Sequence, residues 1–150
     1  MKKIVKYILL DILRNKIILA YTVILFVVTF SVFSLEDNSQ KGMLTLLNLV
    51  LFIVPLVSII FSTIYIYNSS EFIELLVSQP LKRKSIWLSL FIGIAGALSL
   101  AFIMGAGIPL LIYDHSATAF MMVANGILIS VIFAAIAGLF LSACHGLLFP

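Results

Sequence analysis

Gly42 to Ser70 reads GMLTLLNLVLFIVPLVSIIFSTIYIYNSS, a run without a single Asp, Glu, Lys or Arg. About 20 apolar residues in a helix cross the hydrocarbon core of a bilayer, so this run spans it with length to spare. Stretches such as LNLVLFIV within it do not alternate polar and apolar positions, which excludes the strands of a membrane barrel. In lipid only a helix then satisfies its own backbone. Outward from this run lie three more uncharged stretches, Ile17 to Leu35, Ser85 to Tyr113 and His115 to Pro150. Each is long enough to span.

The composition of the 150-residue chain agrees. It is 63% apolar and 10% charged, against roughly 45–50% and about 25% in ordinary globular domains, and its mean hydropathy is +1.28. These values exclude a soluble monomer and leave no room for an autonomous soluble enzyme domain. A net charge of +3 and a pI near 9.1 would suggest nucleic acid in a soluble protein, but the charges sit where membrane topology wants them. No nucleic-acid partner is expected. The lone cysteine, Cys144, cannot form an internal disulfide.

Cytoplasmic loops carry the excess of Lys and Arg. Lys2, Lys3, Lys6, Arg14 and Lys16 precede the first uncharged run and Lys82, Arg83 and Lys84 follow the second, eight of the nine basic residues on one side. The other side holds Lys41 with Glu36 and Asp37, and Asp114 with His115. Both termini are therefore expected in the cytoplasm. The basic leader reaches Lys16 and the apolar run behind it exceeds the roughly 7–15 residues of a signal-peptide core. In the leader, Ile4, Ile8 and Ile12 with Val5, Leu9 and Leu13 line one side of a helix, and Lys3, Lys6, Asp11 and Arg14 lie mainly on the other. That pattern predicts an interfacial helix whose basic face meets anionic head groups and whose apolar face sinks into the acyl boundary.

The fold class expected is all-α and integral to the membrane: an interfacial helix over 1–16 and spans over 17–35, 43–67, 85–113 and 119–148. Between the second and third spans lies NSSEFIELLVSQPLKRKSIW, Asn68 to Trp87. Asn68, Ser69 or Ser70 can cap a helix there, Glu71 and Glu74 suit its first turn, and Pro80 ends it. A short amphipathic helix over 71–79 results, with Phe72, Leu75 and Leu76 on one face.

The order of residues in this connection, Glu71, Glu74, Leu75, Leu76, Ser78, Gln79, Pro80 and then Lys82 to Lys84, resembles the ABC-2 family of ATP-binding-cassette transporter permeases. The resemblance extends to the basic leader, the acidic outer loop and the second span that runs into the short helix. It looks closest to the Nos-type branch, encoded with nitrous oxide reductase maturation genes. The resemblance implies a permease of the bacterial inner membrane, working as a homodimer. Glu71, Phe72, Glu74, Leu75, Leu76, Ser78, Gln79 and Pro80 would then form a coupling helix seated in a separate cytoplasmic ATPase subunit, which binds the ATP and Mg. Such permeases usually have about six spans of about 20 residues each, so the chain ending at Pro150 is expected to be the N-terminal part of a longer one. The competing reading is a small four-span scaffold or assembly protein without transport activity.

No Asp, Glu, Lys or Arg lies within a span, so no proton relay is expected. Gly93, Ala97, Ala101 and Gly105 recur every four positions in the third span, as do Ser130, Ala134, Gly138 and Ser142 in the fourth. Such stripes let helices approach closely, and predict that the third and fourth spans pack on each other or across a subunit interface. Thr45, Asn48 and Ser62, with Pro55 between them, mark a face of the second span that either lines a substrate path or bonds to neighbouring helices. Asn125 is read likewise. Met121, Met122, Cys144 and His145 fit no metal-ligand spacing. The chain lacks a G-x-x-x-x-G-K-S/T loop, H-E-x-x-H and G-x-S-x-G, so neither ATPase nor other enzymatic activity is expected of it, and no cofactor.

Overall fold

The computed structural model describes residues 2–69, 71, 74, 75, 78 and 83–144, and every regular element among them is helical. α1 (Lys2–Leu13) leads into α2 (Lys16–Leu35) and α3 (Ser39–Asn68); α4 (Arg83–Phe102), a π-helical turn (Ile103–Gly107) and α5 (Ile108–Tyr113) follow without a break, and α6 (Ala117–Cys144) completes the order. Among the described residues, four segments are long and apolar enough to cross a membrane: Lys16–Leu35, Gln40–Asn68, Lys84–Tyr113 and Ala117–Leu141. This is the architecture of a multi-pass membrane protein. Phe72, Leu76, Gln79, Pro80 and Lys82, and the end of the fourth expected span beyond 144, lie outside the described residues.

Local chemistry explains the breaks. Asn15 adopts an extended backbone, and its Oδ1 accepts the N–H of Ile17 at 3.1 Å, an N-cap that starts α2 afresh. The leader helix therefore stops at Leu13, short of the expected Lys16. In the loop before α6, Asp114 Oδ1 accepts the Ser116 N–H at 3.1 Å and Ser116 Oγ accepts the Ala119 N–H at 3.4 Å. Pro55 does not interrupt α3. Pro109 acts differently: it has no N–H, and its ring crowds the carbonyl four residues back, at Gly105. Just before it the helix widens, and the Ile108 N–H reaches the carbonyl of Ile103, the i→i−5 bond of a π-turn.

The spans form a bundle in which α3 packs on α6, α6 on α4, and α2 on both α3 and the π-turn. The third span is its axis: 56% of its most apolar window is buried, against 22–28% for the other three. α2 runs parallel to it, since Leu25 meets Gly105 and the Phe33 ring stacks on Tyr113 at 5.1 Å with the same numbering offset. α6 runs antiparallel, with Phe102 against Gly126 and Gly107 against Val123. At 1.5 Å per residue the 20-residue α2 is about 30 Å long and the 30-residue α3 about 45 Å. α2 thus lies beside the outer part of the third span, and α1 covers the inner part that α2 does not reach.

The apolar face of α1 meets protein where the periodicity predicted lipid. Ile8 and Ile12 are buried at 2% and 0% exposure. A Cβ on Gly93 would lie 2.5 Å from Ile8 Cγ2, and one on Gly96 3.1 Å from Leu9 Cδ1. Lys3, Lys6, Asp11 and Arg14 remain exposed, so the polar face is where amphipathicity put it. Elsewhere Val23, Phe26, Val27 and Phe30 of α2 point outward, as side chains do whose solvent is hydrocarbon.

Most hydroxyls within the spans bond to their own helix. Thr29 Oγ1 donates to the Leu25 carbonyl at 2.8 Å, Ser89 Oγ to Ser85 at 2.9 Å and Ser130 Oγ to Ile127 at 2.8 Å. This satisfies them where water is absent.

Candidate functional site

The candidate site is the end of the bundle that gathers α1, the end of α3, the start of α4 and the connection between the last two. α3 closes at Asn68, and the Ser69 N–H still reaches the Tyr65 carbonyl at 2.9 Å. Beyond it Glu71, Glu74 and Leu75 are helical and exposed. The Ser78 N–H donates to the Glu74 carbonyl at 3.0 Å and Ser78 Oγ to Leu75 at 2.7 Å, one closed turn. Leu75 is 67% exposed beside two exposed carboxylates. An apolar side chain flanked by acids in this setting suits a surface that meets another protein.

Behind the connection the elements are tied together. The Tyr65 hydroxyl donates to Asp11 Oδ2 at 3.3 Å, joining α1 to α3, while Ile8 and Leu9 join α1 to Gly93 and Gly96 of α4. α1 thus touches both the end of α3 and the start of α4. No protein-family model matches the chain, and no curated protein is significantly similar to it.

The face of α3 marked by Thr45, Asn48 and Ser62 does not stay together. Thr45 is exposed, and its Oγ1 donates to Glu36 Oε1 at 3.0 Å and to the Lys41 carbonyl at 3.1 Å. It is held by the loop at the start of its own helix. Asn48 is exposed, whereas Ser62 is completely buried. The reason is helical drift: positions seven apart shift by about 20° per step, and the additional step of three widens the spread.

Ser62 instead belongs with groups that spacing did not single out. The buried oxygens of Ser58, Ser62 and Tyr21 have no hydrogen-bond partner among the described residues, and neither has Glu36 Oε2. Ser58 and Ser62 are one helical turn apart, and Tyr21 comes from the neighbouring α2. The i, i+4 serine pair was the available signal. Tyr21, Ser58 and Ser62 are thus interior hydroxyls with open bonding capacity among the described residues.

The small-residue stripe of the third span also finds other partners than expected. Gly93 accommodates Ile8 of α1, and Gly105 accommodates Leu25 and the Thr22 carbonyl of α2; Ala97 and Ala101 between them are buried. The stripe of the third span therefore faces the first two helices, while the fourth span meets the third through Phe102 and Gly126. A spacing of four advances about 40° per step around a helix of 3.6 residues per turn, so the stripe winds from α1 to α2. In the fourth span Ser130 and Ala134 are buried, a Cβ on Gly138 would meet nothing within 4 Å, and the Ser142 side chain lies outside the described residues. Met122 is buried and Met121 exposed, on different sides of α6.

Proposed function

We propose that this chain is the transmembrane permease part of an ATP-binding-cassette exporter of the ABC-2 type, related to the Nos branch that serves copper-enzyme maturation. It lies in the bacterial inner membrane with both termini in the cytoplasm, and pairs with a second copy. The observation that carries this reading is the connection between the second and third spans, where Glu71, Glu74 and Leu75 are exposed in a helical segment whose sequence order is that of the coupling helix. A separate cytoplasmic ATPase subunit grips this segment and binds the ATP and Mg. Closure of that motor shifts the segment, and α3 and α4, both touched by α1, carry the shift into the spans. The buried hydroxyls of Tyr21, Ser58 and Ser62 offer polar contacts to a substrate along the way. The alternative reading, a four-span scaffold without transport, needs no motor.

Changing Glu71, Glu74 and Leu75 together to Lys, Lys and Asp reverses the charge and removes the apolar contact. Copurification of a P-loop ATPase is expected with the wild-type chain and is expected to fall at least tenfold in the variant, the scale of losing about 1.4 kcal/mol or more from an interface hot spot. An ATPase that stays bound equally well to the variant would remove the coupling-helix assignment, and the absence of any bound ATPase would favour the scaffold. The orientation has its own test. Reporter fusions after Lys16, Asn38, Lys84 and Asp114 are expected to read cytoplasm, outside, cytoplasm and outside; any other order breaks the charge argument.

A further inference from the structure

On the basic side of the bundle, a groove of about 320 Å³ opens between α4 and α6. Lys84 stands at its mouth, Trp87, Leu88 and Phe91 form one wall, and Ala135 and Gly138 form part of the other. The volume lies in the range of ligand sites, roughly 300–1,000 Å³. Gly138 accounts for the opening, because a Cβ there would meet no atom within 4 Å. Lys84 is exposed and has no carboxylate partner among the described residues. Both walls belong to candidate membrane spans.

We infer that this groove is a binding site for an anionic phospholipid of the leaflet on the basic side, its acyl chain lying on Trp87, Phe91 and Gly138 and its phosphate paired with Lys84. Charge complementarity selects the head group: Lys84, next to Lys82 and Arg83 in the sequence, attracts an anionic lipid, and a zwitterionic one offers it no net charge. Trp87 follows Lys84 by three residues near the start of α4, and indoles favour the head-group level of a bilayer. Gly138 supplies space that any larger side chain would fill. The inference concerns the flank of the bundle and is independent of the coupling role of residues 71–79.

Trp87 is the only tryptophan of the chain, which makes the site its own reporter. The full chain would be reconstituted in phosphatidylcholine vesicles containing a minor fraction of brominated phosphatidylglycerol, and in the converse mixture with the bromine on phosphatidylcholine. Brominated phosphatidylglycerol is expected to quench Trp87 about fivefold more effectively than its mole fraction predicts, the preference that one lysine near the surface confers. Lys84→Gln is expected to abolish the preference. Gly138→Leu, whose Cβ would meet no atom within 4 Å, is expected to reduce quenching by both lipids. Inorganic phosphate added to the detergent-solubilised protein is expected to leave the fluorescence unchanged. Equal quenching by both lipids in the wild type would mean an annular lipid only and would overturn the site. Protection from both, as a second protein copy in the groove would give, would overturn it too, and so would an unchanged response in Gly138→Leu or a phosphate response equal to that of the lipid.

Discussion

Gly105→Ala is expected to loosen the first span from the third and to lower the stability of the bundle by about 1–3 kcal/mol, the usual cost of overpacking a filled interface. The added methyl would lie 2.9 Å from the carbonyl oxygen of Thr22 and 2.9 Å from Leu25 Cβ. Neither atom is the far end of a flexible side chain, so relief requires moving the α2 backbone. That movement also pulls on the outer end of the pair, where Phe33 stacks on Tyr113 and Phe30 meets the same ring edge-on at 6.1 Å. In lipid, helices are held by packing contact and not by exclusion of water, so a gap opened along this contact has little to compensate it. Gly138→Ala is the matched control. It meets nothing and should be neutral or stabilising by up to about 1 kcal/mol through helix propensity. Denaturant titration of both variants in detergent makes the comparison. Equal stabilities would mean that α2 does not lie against Gly105.

A larger loss is expected from Phe102→Ala. Phe102 is 1% exposed, and its ring occupies the place of a side chain on Gly126, one of the contacts between the third span and the fourth. Removing a buried phenyl ring costs about 3–5 kcal/mol when the surroundings cannot collapse, and two helices braced elsewhere cannot. Gly126→Leu on its own should also destabilise, because the new side chain collides with the ring. Combined, the two changes relieve each other, and the double variant should be more stable than the sum of its parts by about 1 kcal/mol or more. The same titration measures the coupling. Strict additivity would show that the ring and the glycine are not in contact.

The four apolar spans were readable from charge alone, since lipid tolerates few polar groups. The amphipathic form of α1 follows from elementary periodicity, whereas the break that Asn15 makes by capping α2 was not read. What covers α1 does not. Amphipathicity tells which face is apolar, and lipid and protein are equally apolar neighbours; only the glycines at 93 and 96 hint that the neighbour is a helix. The stripe from Gly93 to Gly105 was likewise visible as a stripe, but its partners depend on how a pattern of four winds around a helix of 3.6. The candidate site divides similarly. The exposed acids and Leu75 of the connection were legible because a short polar segment between two spans has nowhere to hide. The open hydroxyls of Tyr21 and Ser58 were not, because serine and tyrosine in a span usually bond locally, and whether they do depends on rotamers that sequence does not specify.

The π-turn at Ile103–Gly107 has a consequence of its own. A π-turn holds one residue more than the α-helical turn it replaces. Deleting a single residue within it would restore ordinary helical winding and rotate everything beyond by about 100°. Tyr113 would then swing away from Phe33 and Leu110 would leave the interior, although hydropathy and span length would barely change. The outer end of the third span is thus tied to its neighbours by a count of residues more than by their chemistry, and that count is one that conservative substitutions leave intact and a one-codon deletion destroys.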